Sequence, residues 1–340
     1  MPSEPAQTLT AEEQEAIRAE ARALIAQEGI SQKQFSVLCG VAYGTFTPWM
    51  AGTYAGRGDR IAEAVRRGID SHRAKTRTRV LAPAAPGFVA TPTAEAIAGV
   101  LEHAQHMADF AVVTGAPGVG KTSTARAYAR DHANVWMITS EPVHATPRAL
   151  LDDLADALRV DARGTSSQRL SRDLAARMRG KDGLLIVDEA QHLTSATLDQ
   201  LRSLHDRAEV GVALLGNETI FARLEGGTRA AHYAQLYSRV GMRLTRPKPV
   251  KADIDALLDA WGVEGKAERA LLHVIARKPG ALRGLTKVLR IAHMLAGAEG
   301  AEAVGERQIR LAWSRYAARE TIEDEADALG LARAGERRAA

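Results

Sequence analysis

Five apolar runs punctuate the middle of the chain, at 110–114, 135–139, 184–188, 212–215 and 242–244. Most of them are continuous rather than alternating, the pattern of strands covered on both faces. Between them the period changes. "PRALLDDLADALRV" and "SSQRLSRDLAARMRG" repeat apolar residues every three or four positions, as amphipathic helices do. Strands alternating with helices predict an α/β fold with a parallel sheet and helices on both faces. Ahead of the first strand, "TPTAEAIAGVLEHAQHM" reads as a capped helix with Ile97, Leu101 and Ala104 on one face. Beyond Pro247 and Pro249 only helical periods remain, in "KADIDALLDAWGV", "KAERALLHVIARK" and "ALRGLTKVLRIAHMLAG". They predict a small helical lid domain.

The pattern also divides the chain. "AKTRTRVLAPAAPGFVATP" carries Pro83, Pro86 and Pro92 and reads as a linker over 74–92. The expected order is a helical domain over 1–73, an α/β domain over 93–249, the lid over 250–316 and a charged, frayed tail over 317–340. Within the first domain, "SQKQFSVLCGVAYGTFTPWMAGTYAG" resembles a repressor-type helix-turn-helix. Ser31 caps a helix carrying Phe35 and Leu38. Ser36 is the small residue where two helices cross, and Gly40 supplies the left-handed turn. A second helix sends Phe46 and Trp49 inward and Tyr43, Thr45 and Thr47 outward, toward a groove. Few of these outward residues read bases by paired hydrogen bonds. Downstream, eight basic residues between Arg57 and Arg79 stand against three acidic ones, a run suited to phosphates or to protein contacts.

The candidate chemistry lies at the strand ends. The first apolar run feeds Gly115-Ala116-Pro117-Gly118-Val119-Gly120-Lys121-Thr122-Ser123 and then a helix, the P-loop in its required context. Its glycines let backbone N–H groups cradle phosphates, and the helix N-terminus adds partial positive charge. Lys121 can reach the β- and γ-phosphates, and Thr122 can put its hydroxyl on Mg²⁺. "GLLIVDEAQHL" ends a buried strand in Asp188, which can hold Mg²⁺ through water, and Glu189, which can take a proton from an attacking water. A second acid here suits hydrolysis. "GVALLGNETIF" ends in Asn217, whose amide can bond the γ-phosphate and the water. Arg239, with Arg243 close by, flanks the last strand, and Arg283 opens a lid helix. Each can stabilise phosphate charge, Arg239 from a neighbouring subunit, or stand solvated at the surface.

The order GAPGVGKT, LLIVDEA, LLGN, SRV, GALR resembles the AAA+ ATPases. The resemblance implies Walker A, Walker B, sensor 1, arginine finger and sensor 2 at these positions, a sheet of order 5-1-4-3-2, ATP and Mg²⁺ as cofactors, and assembly into a ring or helical filament. More narrowly, domain order and "TPTAEAI…TGAPGVGKT…VDEAQHL…LLGNE" make 91–315 similar to the transposition ATPases of the phage Mu B type. That branch implies double-stranded DNA and a transposase as partners, with ATP driving assembly on target DNA and hydrolysis driving release. In a ring or filament the loops after the second strand and before the third line the bore, where Arg148, Arg163, Thr165 and Arg169 can meet phosphates. The same residues also suit an ordinary solvated surface.

Composition changes this picture little. The chain has 340 residues and a net charge of +4, with a pI near 9.3, which permits nucleic acid without requiring it. Aromatic residues are 4% of the chain, too few for many base-stacking platforms. Cys39 is the sole cysteine, so an intramolecular disulfide is excluded, and the acidic, polar start is unlike a signal peptide. No apolar run is long enough to cross a membrane. A cytoplasmic home is expected. Two further readings stay open on the residues alone, an ATP-switched transcriptional regulator and a secretion-associated AAA+ ATPase.

Overall fold

A computed structural model describes residues 9–81, 85–142, 146–219 and 239–317. The chain forms two compact units that divide between residues 84 and 85. The first holds α1 (Ala11–Glu28), α2 (Gln32–Leu38), α3 (Tyr43–Met50) and α4 (Asp59–Leu81). A reciprocal cap between Thr10 and Glu13 starts α1, and Gly29 ends it in the left-handed region. Ser31 caps α2 through the Gln34 N–H. Gly40 turns the chain at φ +67° between α2 and α3. Phe35, Phe46 and Trp49 are buried with Ile61, Val65 and Ile69 of α4. One expectation is corrected here. Helix α4 continues to Leu81, through the first eight residues of the expected linker. That stretch is basic but holds neither glycine nor proline, and nothing breaks a helix until Pro83.

The second unit begins, after an extended segment at 85–91, with α5 (Pro92–Met107). Then come β1 (Phe110–Gly115), α6 (Lys121–Asp131), β2 (Val135–Thr139), α7 (Pro147–Leu158), α8 (Ser167–Met178), β3 (Leu184–Asp188), α9 (Ser195–Ala208), β4 (Gly211–Gly216) and β5 (Val240–Arg246). The five strands form one parallel sheet of order β2-β3-β4-β1-β5, the expected order read from the other edge. Alternate residues explain the continuous apolar runs. Phe110, Val112, Leu185, Val187, Val212 and Leu214 pack against α7, α8 and α9. Their neighbours Ala111, Val113, Leu184, Ile186, Ala213 and Leu215 pack against α5 and α6. Over the three central strands both faces are therefore dry, with β1, β3 and β4 buried at every residue, whereas β5 at the edge is largely exposed.

The lid comprises α10 (Lys251–Ala260), α11 (Lys266–Ala276), α12 (Ala281–Ala298) and α13 (Glu306–Tyr316) around Leu258, Leu272, Leu285, Val288 and Leu289. Helix α13 was not singled out by the sequence pattern; Ile309, Ala312 and Trp313 fix it to this core. The expected tail, apart from Ala317, lies outside the described residues, as does the stretch before Arg239.

Candidate nucleotide-binding site

Parallel strands bring their carboxyl ends to one side of the sheet, where α/β proteins bind ligands. Here β1 delivers the phosphate loop, β3 delivers Asp188 and Glu189, and β4 delivers Asn217. The loop's glycines are required by contact as well as by conformation. A Cβ on Gly115 would lie 2.1 Å from the Arg246 carbonyl oxygen, and one on Gly118 would lie 2.1 Å from that of Gly280. Gly118 and Gly120 hold φ at +87° and +105°. No side chain caps α6. Its first-turn N–H groups lack intrahelical acceptors and face the cleft, as an anion-binding helix start requires. Uncapped N–H groups and the glycine cradle fit a nucleotide's phosphates.

Thr122 Oγ1 donates a 2.7 Å hydrogen bond to Asp188 Oδ2, so the two residues expected to share Mg²⁺ are adjacent. Asp188 is 2% exposed. Lys121 Nζ donates to the carbonyls of Gly115 and Ala116, at 2.7 and 3.0 Å. Burial lowers its pKa; the carboxylates of Glu189 and Asp188 oppose that shift and Arg283 adds to it. The helix start at Arg283 therefore lies close enough to be felt by Lys121. Glu189 sits in the left-handed region at φ 53°, directly after β3. Gln191 joins it to Asn217: the Gln191 amide donates to the Glu189 carboxylate, and its carbonyl accepts the Asn217 N–H at 3.3 Å. The sequence reading missed Gln191, whose role depends on a partner 26 residues away.

Lys121, Thr122, Glu189, Gln191, Asn217 and Arg283 line one cleft of about 820 Å³, with Asp188 buried behind Thr122. Its lining also includes Pro86, Phe88, Thr91, Leu257, Trp261 and Leu282. Pro86 and Phe88 fall within the segment expected to be linker. The apolar side chains suit a base, and the glycine loop with Lys121 suits phosphates.

Arg239 stands elsewhere. Its carbonyl accepts from Phe110 at the start of β1, the end of the sheet remote from the phosphate loop. Its guanidinium forks onto Asp206 of α9 at 3.0 and 3.1 Å. Arg243 is exposed on β5. Of the proposed phosphate contacts, Arg148 is committed within the chain, to Asp152 and to the carbonyls of Ala162 and Thr165. It braces the loop between α7 and α8, whereas Arg163 and Arg169 of the same region are exposed. In the first unit Tyr43 is exposed, Thr45 is half-buried, and the Thr47 hydroxyl bonds back to the Tyr43 carbonyl.

The fold and this cleft define an AAA+ P-loop ATPase. A model described as an AAA domain matches residues 104–224, and one described as Mu B transposition protein, C terminal, matches 238–315. The chain is 38% identical to the "ATP-dependent target DNA activator B" of Escherichia phage Mu, over 87% of this chain and 94% of that one. It is 34% identical to the "Mu-like prophage FluMu DNA transposition protein B" of Haemophilus influenzae, over 76% and 90%. Among solved structures, the Aeropyrum pernix ORC2 protein shares the fold at a TM-score of 0.53 and 19% identity, over 74% of each chain. The chain belongs to the Mu B transposition protein family.

Proposed function

We propose that this chain is an ATP-dependent DNA-binding protein that marks target DNA for a transposase. The match along 94% of a relative named as a target DNA activator carries this reading, and the glycine loop, Lys121, Glu189, Asn217 and Arg283 that line the cleft support it. ATP would enter with its phosphates on the glycine loop and Lys121, and its base against Trp261 and Phe88. Mg²⁺, the group that neutralises phosphate charge, would be held by Thr122 with Asp188 behind it. Glu189, oriented by Gln191, takes the proton of the attacking water, and Asn217 orients that water. Arg283 approaches the phosphates from the chain's own lid.

Arg239 has a different geometry. Five strand steps separate its level from the loop, about 16 Å, longer than an arginine side chain. Its finger role therefore belongs to a neighbouring subunit's site, and hydrolysis requires assembly. Protomers joined through ATP would coat duplex DNA, meeting it through phosphates with little regard to sequence, and hydrolysis would release it. Arg163 and Arg169 are the exposed candidates for those contacts, with Thr165 beside them. The deciding experiment is binding to random-sequence duplex with ATP, with ADP and without nucleotide. ATP-dependent binding across unrelated sequences is expected. Nucleotide-independent preference for one operator-like sequence would favour the transcriptional-regulator reading, and no binding in any state would sink the DNA role.

A further inference from the structure

Asp253 is a carboxylate with no exposed surface in the second unit. It occupies the third position of α10, where it closes a cap by accepting the Val250 N–H at 2.8 Å. A capping acid ordinarily stays at the surface. This one also accepts the Thr93 N–H at 2.8 Å and the Thr93 hydroxyl at 2.7 Å, from a helix 160 residues earlier. The first turn of α5 is thereby fully accounted for. Pro92 has no N–H, that of Thr93 goes to Asp253, and that of Ala94 goes to Thr91 Oγ1. A single carboxylate thus caps two helices, and the positive N-terminal ends of both compensate its buried charge.

The location gives the contact a consequence. Thr91 and Ala94 line the cleft beside Asp253's partner, and Leu257 and Trp261 line it one and two turns further along α10. The lid touches the nucleotide-binding core again where Gly280 meets Gly118, three residues before Arg283. The lid is therefore held at a pivot, Asp253–Thr93, and at a second point beside the phosphate loop. We infer that Asp253, through Thr93, is the positioning residue that sets the lid at the angle from which α12 delivers Arg283 to the nucleotide. This deepens the ATP-site reading and rests on it.

A double-mutant cycle in the full-length chain tests this, with ATP affinity measured by calorimetry. Thr93→Val removes one of three hydrogen bonds at nearly constant shape, and Thr93→Ser retains it. Thr93→Val and Arg283→Ala are each expected to weaken ATP binding about tenfold, the scale of one charge-assisted hydrogen bond. Thr93→Ser should bind as the parent does. The double variant should be no weaker than Arg283→Ala alone, because residues acting in series do not add. A purely structural Thr93 would lower the melting temperature and leave the two losses additive, about a hundredfold together. That additivity overturns the inference while the ATP-site reading stands. An inert Arg283→Ala beside intact nucleotide binding overturns it too, by removing the group through which Asp253 acts. If Lys121→Ala binds ATP as the parent does, the ATP-site reading itself fails.

Discussion

At the scale of single residues, the cleft separates binding from turnover. Lys121 is partly desolvated and already directed onto its own loop. Replacing loop carbonyls by phosphate oxygens strengthens its hydrogen bonds, since both partners are then charged. Lys121→Ala is expected to weaken ATP binding on the order of a hundredfold or more, the loss of two such bonds; titration calorimetry reads this directly. Glu189→Gln keeps the shape, and its amide can still meet Gln191, but it cannot take a proton from water. ATP binding should persist while turnover falls on the order of 10²- to 10⁴-fold, leaving long-lived DNA complexes. A parent-like rate of phosphate release would show that another group is the base. That Lys121, Thr122 and Asp188 meet at the end of the sheet was legible in the sequence, because local spacing fixes the loop and an acid ends a buried strand. Gln191, Asp253 and Trp261 were not. Their meaning comes from partners brought close only by the fold, and nothing in the residues around them marks it. Arg148 shows the reverse: a loop position suggested a free cation, and the fold pairs it with Asp152.

At the scale of elements, the central strands were readable because both sheet faces are covered there, which erases alternation and leaves plain apolar runs. The end of α4 was less legible, since a prolines-and-charge criterion placed the linker before the first proline acts. The contact between the phosphate loop and α12 was invisible to periodicity, yet it leaves no room for a side chain between them. Gly118 combines a left-handed backbone with 2.1 Å between a would-be Cβ and the Gly280 carbonyl oxygen. Gly118→Ala must therefore strain the loop or lift the start of α12, and with it Arg283. The backbone contribution alone costs more than about 1 kcal/mol. ATP affinity is expected to fall at least tenfold while the first unit melts as before. Parent-like affinity would show that the lid's seat on the loop does not matter for binding.

At the scale of the whole molecule, two questions concern parts that one cleft does not contain. The first is the neighbour. Arg239→Ala should spare ATP binding by a single protomer and impair hydrolysis and assembly, because in the proposed assembly the arginine acts where subunits meet. Mixing it with Lys121→Ala subunits lets one mixed interface pair an intact loop with an intact finger, so some hydrolysis should return. No recovery in mixtures shown to co-assemble would count against the trans role. The second question is what the first unit adds. From Gln34 to Gly56 its chain carries no charged residue, so Lys33, exposed on α2, is the one cation that α2 and α3 offer to phosphates. The basic residues of α4 add to it, and Arg163 and Arg169 offer an independent set in the ATPase unit. Because α4 runs to Leu81, a cut at residue 80 would sever its last turn; a chain beginning at Ala85 respects the division between the units. That truncated chain should bind unrelated duplexes more weakly than the full chain and still require ATP. Its affinity should fall steeply with salt, since phosphate contacts release counterions, and vary little with sequence. The measurement is affinity across a salt series with ATP present, for full and truncated chains on the same duplexes. Complete loss of binding would assign DNA recognition to the first unit, and a shallow salt slope in the truncated chain would exclude Arg163 and Arg169 as phosphate contacts.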